Sequence, residues 1–349
     1  PYDHLTQELK DSLNEYYKVG SLENYDEVAG AVQFFINKYG KIDWLESNNE
    51  YWLERDARLR TDFGIDSGFK NEDMPRIKYK SNMKAYYANV GIPTARYHLV
   101  DTWRGCVDFA NTVGYPVIVK PDNGVGASST YKLNDESELS YFFATKNSCV
   151  QYIMEEYIYA EVNSYDAIID SHGNPIFEIG NVTPMSIMDI VNNADNSIFY
   201  IVKELPEDTR RLGRATVKSF GVRSRFVHFE FFRLLKDYEG LGRQGELIGL
   251  EVNMRPCGGI SPDMMNFSQS TDVYKIWADM IAYDSSLKGI GETAYCAFAG
   301  RRDGKNFVMS NEQIMEKYAA NMKMSGRVAD VLSGAMGNQM FIATFPTKE

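Results

Sequence analysis

Glu251, Asn253 and Arg255 stand two apart at the end of an apolar run that begins at Leu247, and Glu230 sits inside an earlier apolar run from Phe226 to Phe232. Leu247 to Met254 reads as a buried strand, so alternate residues share a face and the oxygens of Glu251 and Asn253 point the same way. If the Glu230 strand pairs beside it, two carboxylates and an amide oxygen converge. That is the oxygen-rich, incomplete shell Mg²⁺ takes when phosphates supply the remaining ligands. Arg255, again on that face, adds a fixed cationic fork for a phosphate or a carboxylate. The competing reading is a sheet whose polar face is merely wet, because E-x-N-x-R is short enough to recur by chance.

A second constellation lies upstream. Pro116-Val117-Ile118-Val119 is a β-branched run that predicts a buried strand delivering Lys120 at its end. The loop Asp122-Asn123-Gly124-Val125-Gly126-Ala127-Ser128-Ser129 follows, with glycines that let backbone N–H groups approach an anion and hydroxyls that donate. It is not a P-loop, because the lysine precedes the glycines. Nor is it a dinucleotide fingerprint, since Ser129 stands where the third glycine belongs and Thr130 to Leu133 alternates like a strand. The loop therefore caps a β-hairpin, a flap able to close over a nucleotide.

These residues resemble the ATP-grasp superfamily, of the carboxylate–amine ligase type to which L-amino acid ligases and biotin carboxylase-like ligases are similar. The resemblance runs from about Lys80 to near the C-terminus, with the parts in the family's order. It implies that Lys80, with Lys84 as its alternative, and Lys120 are the two nucleotide lysines, and that Gly124, Gly126, Ser128 and Ser129 belong to the phosphate flap. It implies that Glu155-Glu156-Tyr157-Ile158 is the hinge passing the adenine, with Glu155 preferred for the base, and that Glu161 is the ribose acid. Glu230, Glu251 and Asn253 match the metal ligands, and Arg255 the basic residue over the γ-phosphate or intermediate. The implied cofactors are ATP with Mg²⁺, or Mn²⁺ in its place. Two departures stand out: the loop is poorer in glycine than in many members, and Tyr159-Ala160-Glu161 replaces the commoner x-G-E.

Bland readings stand beside these. Lys80 and Lys84 can be ordinary solvated helix charges. One of Glu155 and Glu156 is expected to face water. His228, on the same side of its strand as Glu230, reads as a satisfied structural histidine. The Met264-Met265 pair and the tyrosines read as packing.

With 349 residues, 44% hydrophobic and 24% charged, the chain can bury more than one core. A formal net charge of -11 argues against a general nucleic-acid surface. Cys106, Cys149, Cys257 and Cys296 are widely spaced, which indicates neither a disulfide framework nor a zinc knuckle and fits a reducing cytoplasm. No secretory segment or long apolar run is present, so no membrane span is expected.

The organisation reads as α/β (α+β): an ATP-grasp fold behind an N-terminal Rossmann-like pre-ATP-grasp domain. Residues 1–76 predict a helix from Tyr25 to Tyr39 ending at Gly40, a short strand from Lys41 to Leu45 and a helix from Asn49 to Phe63. The chain begins at Pro1 without an obvious first strand, so part of this domain is expected to be missing. Residues 77–114 form a connecting helical region. A small lid, 115–181, takes in the Pro116 and Thr130 strands, the Glu138 to Lys146 helix and the Val150 and Val162 strands, with a turn at Asp170 to Asn174. A large subdomain, 182–349, carries the metal site, with helices at Glu207 to Phe220, Asp272 to Met280 and Glu312 to Met324.

The resemblance implies an enzyme joining a small-molecule carboxylate to an amine through an acyl phosphate, releasing ADP and phosphate. The alternatives are phosphoryl transfer to a hydroxyl and a regulatory module that binds ATP without chemistry. Neither nucleic acid nor membrane is an expected partner; homodimers are common among the relatives that the resemblance implies, and nothing in this sequence marks an interface. No segment names the substrates; Arg223, Arg225, Arg301, Arg302 and Asn48-Asn49-Glu50 are candidate contacts.

Overall fold

The computed structural model describes residues 2–124, 129–184 and 195–348. By internal contact the chain divides into a first unit, Pro1–Ser47 with Trp52–Asn71, and a second, Asn48–Tyr51 with Glu72–Glu349. No helix among the described residues is long and apolar enough to cross a membrane.

In the first unit the helix Tyr25–Tyr39 forms as its sequence predicts. The Asn24 side chain caps its first amides, and Gly40, at φ 88°, ends it where a Cβ would be strained. The second helix is Leu53–Asp62, starting later than expected, because Asn49 turns its side chain onto the Tyr51 amide at 2.9 Å instead of entering a helix. The strand expected from Lys41 to Leu45 does not form. Fully buried Arg60 donates from Nε to the Leu45 carbonyl at 3.0 Å, and the Leu45 amide donates to Ser67 Oγ at 3.0 Å. Side chains thus satisfy backbone groups that a neighbouring strand would have used. No strand occurs among the described residues of this unit.

The second unit holds two antiparallel sheets. β1 (Tyr97–Leu99), β2 (Val117–Pro121), β3 (Tyr131–Leu133) and β4 (Tyr152–Glu156) form the smaller, in the order β1-β4-β2-β3. β2 and β3 are the expected hairpin. Val117, Val119 and Met154 face a core shared with Cys106 and Ala110 of the helix Trp103–Val113 and with Leu139 and Phe142 of the helix Glu136–Thr145. Lys120 and Glu155 are left on the other face.

The larger sheet contains β5 (Ala160–Ile169), β6 (Pro175–Ile179), β7 (Asn181–Thr183), β8 (Ser197–Ile201), β9 (Arg225–Leu234), β10 (Leu247–Asn253), β11 (Tyr295–Arg301), β12 (Met322–Arg327) and β13 (Gln339–Phe345). Its order is β10-β9-β5-β7-β8-β11-β13-β12, with β6 also on β5. The Val162 strand, expected among the lid strands, pairs instead along its whole length with β9, from Ala160↔Leu234 to Ile169↔Arg225. The helix expected from Glu312 to Met324 covers only Asn311–Lys317, and Met322 onward is recruited as β12 by pairing with β13. The helix Glu207–Phe220 matches its predicted span.

One irregularity decides the site. β10 pairs with β9 as Gly249↔Phe231 and then Glu251↔Glu230, so Leu250 is an extra residue, a bulge. Gly249 therefore shares the apolar face with Phe231, while Glu251 and Asn253 turn to the face of Glu230 and His228. On the apolar face the Tyr87 ring lies against Gly249, where an added Cβ would come within 2.8 Å. Tyr87 lies in the last turn of the helix Lys80–Ala88, which is thereby docked on the two strands that carry the acids.

Candidate functional site

Asp122 places the first lysine. Its carboxylate accepts from the Ser81 amide at 2.8 Å and the Ser81 hydroxyl at 2.7 Å, and its carbonyl accepts from the Lys80 amide at 3.0 Å. An acid at a helix N-terminus satisfies orphan amides and complements the dipole. The start of the glycine loop is thus tied to the helix that carries Lys80, whose Nζ donates to the Gly124 carbonyl at 2.9 Å and lies 3.6 Å from Glu251 Oε1.

Lys84, one turn on, lies on the same face. It reaches Glu155 Oε1 at 2.5 Å, and Lys120 reaches Glu155 Oε2 at 2.7 Å, diagonally across the β2–β4 pair. Lys80 and Lys84 are each 5% exposed, so neither is a solvated helix charge. Burial pushes the Glu155 carboxyl up, but the two ammonium groups outweigh it and bring it down to about 2. For Lys120 burial works downward, yet Glu155 and Glu251 hold its ammonium above the ordinary lysine range.

Neither hinge acid faces water. Glu156 is as buried as Glu155 and takes the Arg96 guanidinium through Oε2 and the Arg96 amide through Oε1. Tyr157 lies beneath the Lys132 ammonium, 4.3 Å from its ring centre, and Ile158 packs with Ala95, Leu234 and Ile248. Glu161 stands half-buried at the start of β5, opposite Arg233. Ser129 is exposed with φ 58°, whereas Gly126 and Ser128 lie outside the described residues.

The acidic face is assembled from three adjacent strands. Glu230 is flanked by Glu251 on β10 and by Ser164 on β5; His228 is flanked by Asn253 and by Asp166. His228 is a satisfied histidine, as its residue type predicted: Nδ1 is 2.7 Å from Asp166 Oδ1 and Nε2 is 3.3 Å from Glu230 Oε1. Burial works to lower its pKa, but Cys257 and Asp166 outweigh that and hold the imidazole well above its usual range. Burial raises the Glu230 carboxyl, and the neighbouring His228 overrides it, keeping the group below the usual carboxylate range.

Arg255 leaves this face held from several sides. Its Nη2 donates to Asn253 Oδ1 at 3.1 Å, its Nη1 to the Pro256 carbonyl at 2.9 Å, and its Nε lies 3.6 Å from Glu50 Oε2. Glu50 also accepts from buried Lys78 at 2.9 Å. Of the candidate contacts, Glu50 therefore joins the site. Arg225, Arg301 and Arg302 do not: each spends donors on backbone carbonyls, of Met254, of Met309, and of Asp195, Ser333 and Gly334 respectively. Arg223 is exposed. A cavity of about 820 Å³ lined by Tyr131, Tyr141 and Phe142 opens on the Val119 side of the smaller sheet, away from Lys120, and plays no part in this constellation.

Sequence reasoning missed Asp122, Lys78, Ser164 and Asp166. A signal existed for the last two, polar residues two apart in the apolar run Val162 to Ile169, matching the spacing of His228 and Glu230.

Residues 76–218 match the family described as the carbamoyl-phosphate synthase L chain, ATP binding domain. The carbamoyl phosphate synthase large chain of Clostridium botulinum is 30% identical over 105 residues, 28% of this chain and 10% of that protein. The chain thus spans a small part of the length of the curated relatives it matches. Among solved structures, an L-amino acid ligase from Bacillus licheniformis superposes with a TM-score of 0.70 at 14% identity, covering 95% of this chain and 82% of that one. The biotin carboxylase domain of the Hydrogenobacter thermophilus 2-oxoglutarate carboxylase, solved as a dimer with MgADP, ADP and bicarbonate, gives 0.67 at 16% identity, covering 97% and 80%. Residues 76–218 thus match the ATP-binding domain of that family, and the chain as a whole shares the fold of these solved structures.

Proposed function

We propose that this protein is an ATP-dependent ligase that joins a small-molecule carboxylate to an amine through an acyl phosphate, releasing ADP and phosphate. The observation that carries this reading is the convergence of Glu230, Glu251 and Asn253 on one sheet face, with Lys80 reaching Glu251. Two carboxylates and an amide oxygen form a hard donor set that fits Mg²⁺ and leaves ligand positions for phosphate oxygens. When bound, that ion would neutralise charge on the β- and γ-phosphates.

The chain's own residues do the rest. Lys80 and Lys120 take phosphate oxygens, exchanging part of their present carboxylate and carbonyl contacts for them. Both oxygens of Glu155 are held by lysines, so its role is to fix the two ammonium groups, and the backbone of Glu156 to Ile158 takes the base edge. Glu161 takes the ribose. The Gly124 to Ser129 flap covers the phosphates and excludes water from an acyl phosphate that hydrolyses readily. Arg255, its guanidinium oriented by Asn253 and Glu50, holds the developing oxyanion as the amine attacks. The similar structures include one named for joining L-amino acids, which supports an amino acid as one substrate.

The test is ADP release by the purified protein with Mg²⁺ over a panel of amino-acid carboxylates and amines, against Glu251→Ala. Substrate-dependent ADP and free phosphate in the wild type alone support the ligase. A phosphorylated product without free phosphate would replace it with a phosphotransferase, and ATP-stabilised melting without turnover on any pair would leave only a binding module.

A further inference from the structure

Beside Glu230 on the same sheet face lies a second cluster of a different chemical kind. One ligand atom from each of Asp166, His228 and Cys257 falls within 4.8 Å of the other two. Asp166 is fully buried and His228 is 6% exposed, while Cys257 is half-buried on the loop that follows Arg255. We propose that Asp166, His228 and Cys257 form a binding site for a borderline-soft divalent cation of the Zn²⁺ class, separate from the oxygen site at Glu230, Glu251 and Asn253.

The geometry argues for it in three ways. Ligand atoms around a tetrahedral zinc stand roughly 3 to 4 Å apart. Asp166 Oδ1 and His228 Nδ1, hydrogen-bonded at 2.7 Å on adjacent strands, need to part by only about 1 Å to admit the ion, and Cys257 Sγ lies within 4.8 Å of both. Second, the groups behind the ligands are in place. His228 Nε2 faces Glu230 Oε1 at 3.3 Å and can keep its proton there, so that Nδ1 ligates once it gives up the proton it shares with Asp166, the carboxylate–histidine–metal arrangement. The Ser164 hydroxyl donates to Asp166 Oδ2 and accepts from the Asn181 amide at 2.9 Å, and the Asn181 side-chain amide contacts Cys257 Sγ at 3.7 Å. Third, thiolate, imidazole and carboxylate together select zinc-like ions, whereas Glu230, Glu251 and Asn253 offer only oxygens. The ion takes Asp166 and Cys257 as anions and His228 as a neutral imidazole, so the protons these groups hold pass to solvent on binding. Through the His228 ring the ion would be one hydrogen bond from Glu230, so a soft metal here would act on the nucleotide centre.

Co²⁺ in excess Mg²⁺, without nucleotide or substrate, is the probe, so the outcome is independent of ligase activity. The wild type is expected to bind one Co²⁺ per chain with a thiolate-to-cobalt charge-transfer absorption, competed away by Zn²⁺. Cys257→Ser is expected to lose the absorption while melting like the wild type in metal-free buffer, and Ser164→Ala to weaken Co²⁺ by about 10-fold to 100-fold. Cys149→Ser, at an exposed thiol, is expected to keep the absorption. No absorption in the wild type, or an absorption that survives Cys257→Ser, would overturn the proposal.

Discussion

Two buried charge clusters in this chain are built differently. In the first unit Arg60 donates to the carbonyls of Leu45 and Phe69 and to Glu46 Oε2 at 3.0 Å, and is itself fully buried. Its planar fork is spent on fixed partners, which suits a residue that only pins a loop to a helix. In the second unit Lys80, Lys84 and Lys120 face Glu155, Glu230 and Glu251, and the contact from Lys80 to Glu251 is a loose 3.6 Å. Each ammonium carries three rotatable donors and so can turn to a new anion without moving its backbone. The difference separates a cluster that closes the fold from one whose cations are able to turn to a new anion.

The largest expected effect breaks the first cluster. Arg60→Ala takes the cation from Glu46, 4% exposed, and is expected to destabilise the first unit by about 3–5 kcal/mol, read by urea unfolding. If it unfolds like the wild type, the cluster does not hold that unit. Lys120→Ala acts on the second cluster, where Lys84 still pairs Glu155, and should cost more in activity, about 10²- to 10³-fold in the rate of ADP release, than in stability. An equal loss of stability with turnover retained would erase the contrast.

Acid sharpens the comparison. Glu155 is depressed to about 2 from the ordinary glutamate value of 4.5, so its ionised form contributes stability above the unfolded value that disappears as pH falls from about 4.5 towards 2. That contribution is roughly 3 kcal/mol, and unfolding of Glu155→Gln across this window should show a correspondingly shallower pH slope. An unchanged slope would mean the lysines do not hold the carboxylate. The smallest effect tests docking alone: Gly249→Ala pushes a Cβ to 2.8 Å from the Tyr87 ring and should cost about 1–3 kcal/mol in thermal or urea unfolding.

Legibility in the sequence followed the range of the physics. The E-x-N-x-R face could be read because alternation along a strand is local, and the β2–β3 hairpin because its turn chemistry is. The bulge at Leu250, which lets Glu251 meet Glu230, needed the partner strand to be seen. Asp122 with Ser81 and Asp166 with His228 join segments far apart in sequence, and no local pattern links such partners. The Lys41 strand failed for the same reason, since Arg60 captures the Leu45 carbonyl from another helix. Past Lys317 the helical pattern yielded to pairing with β13, a tertiary choice that propensity does not contain.

Lys80, Lys120, Glu230, Glu251 and Asn253 are proposed to form one ATP·Mg²⁺ centre. Calorimetric titration of ATP with and without Mg²⁺ into the wild type, Lys120→Ala and Glu251→Ala tests it most directly. Mg²⁺-dependent binding is expected in the wild type, weak binding in Lys120→Ala, and binding in Glu251→Ala that no longer responds to Mg²⁺. ATP affinity equal in all three proteins and indifferent to Mg²⁺ would contradict it.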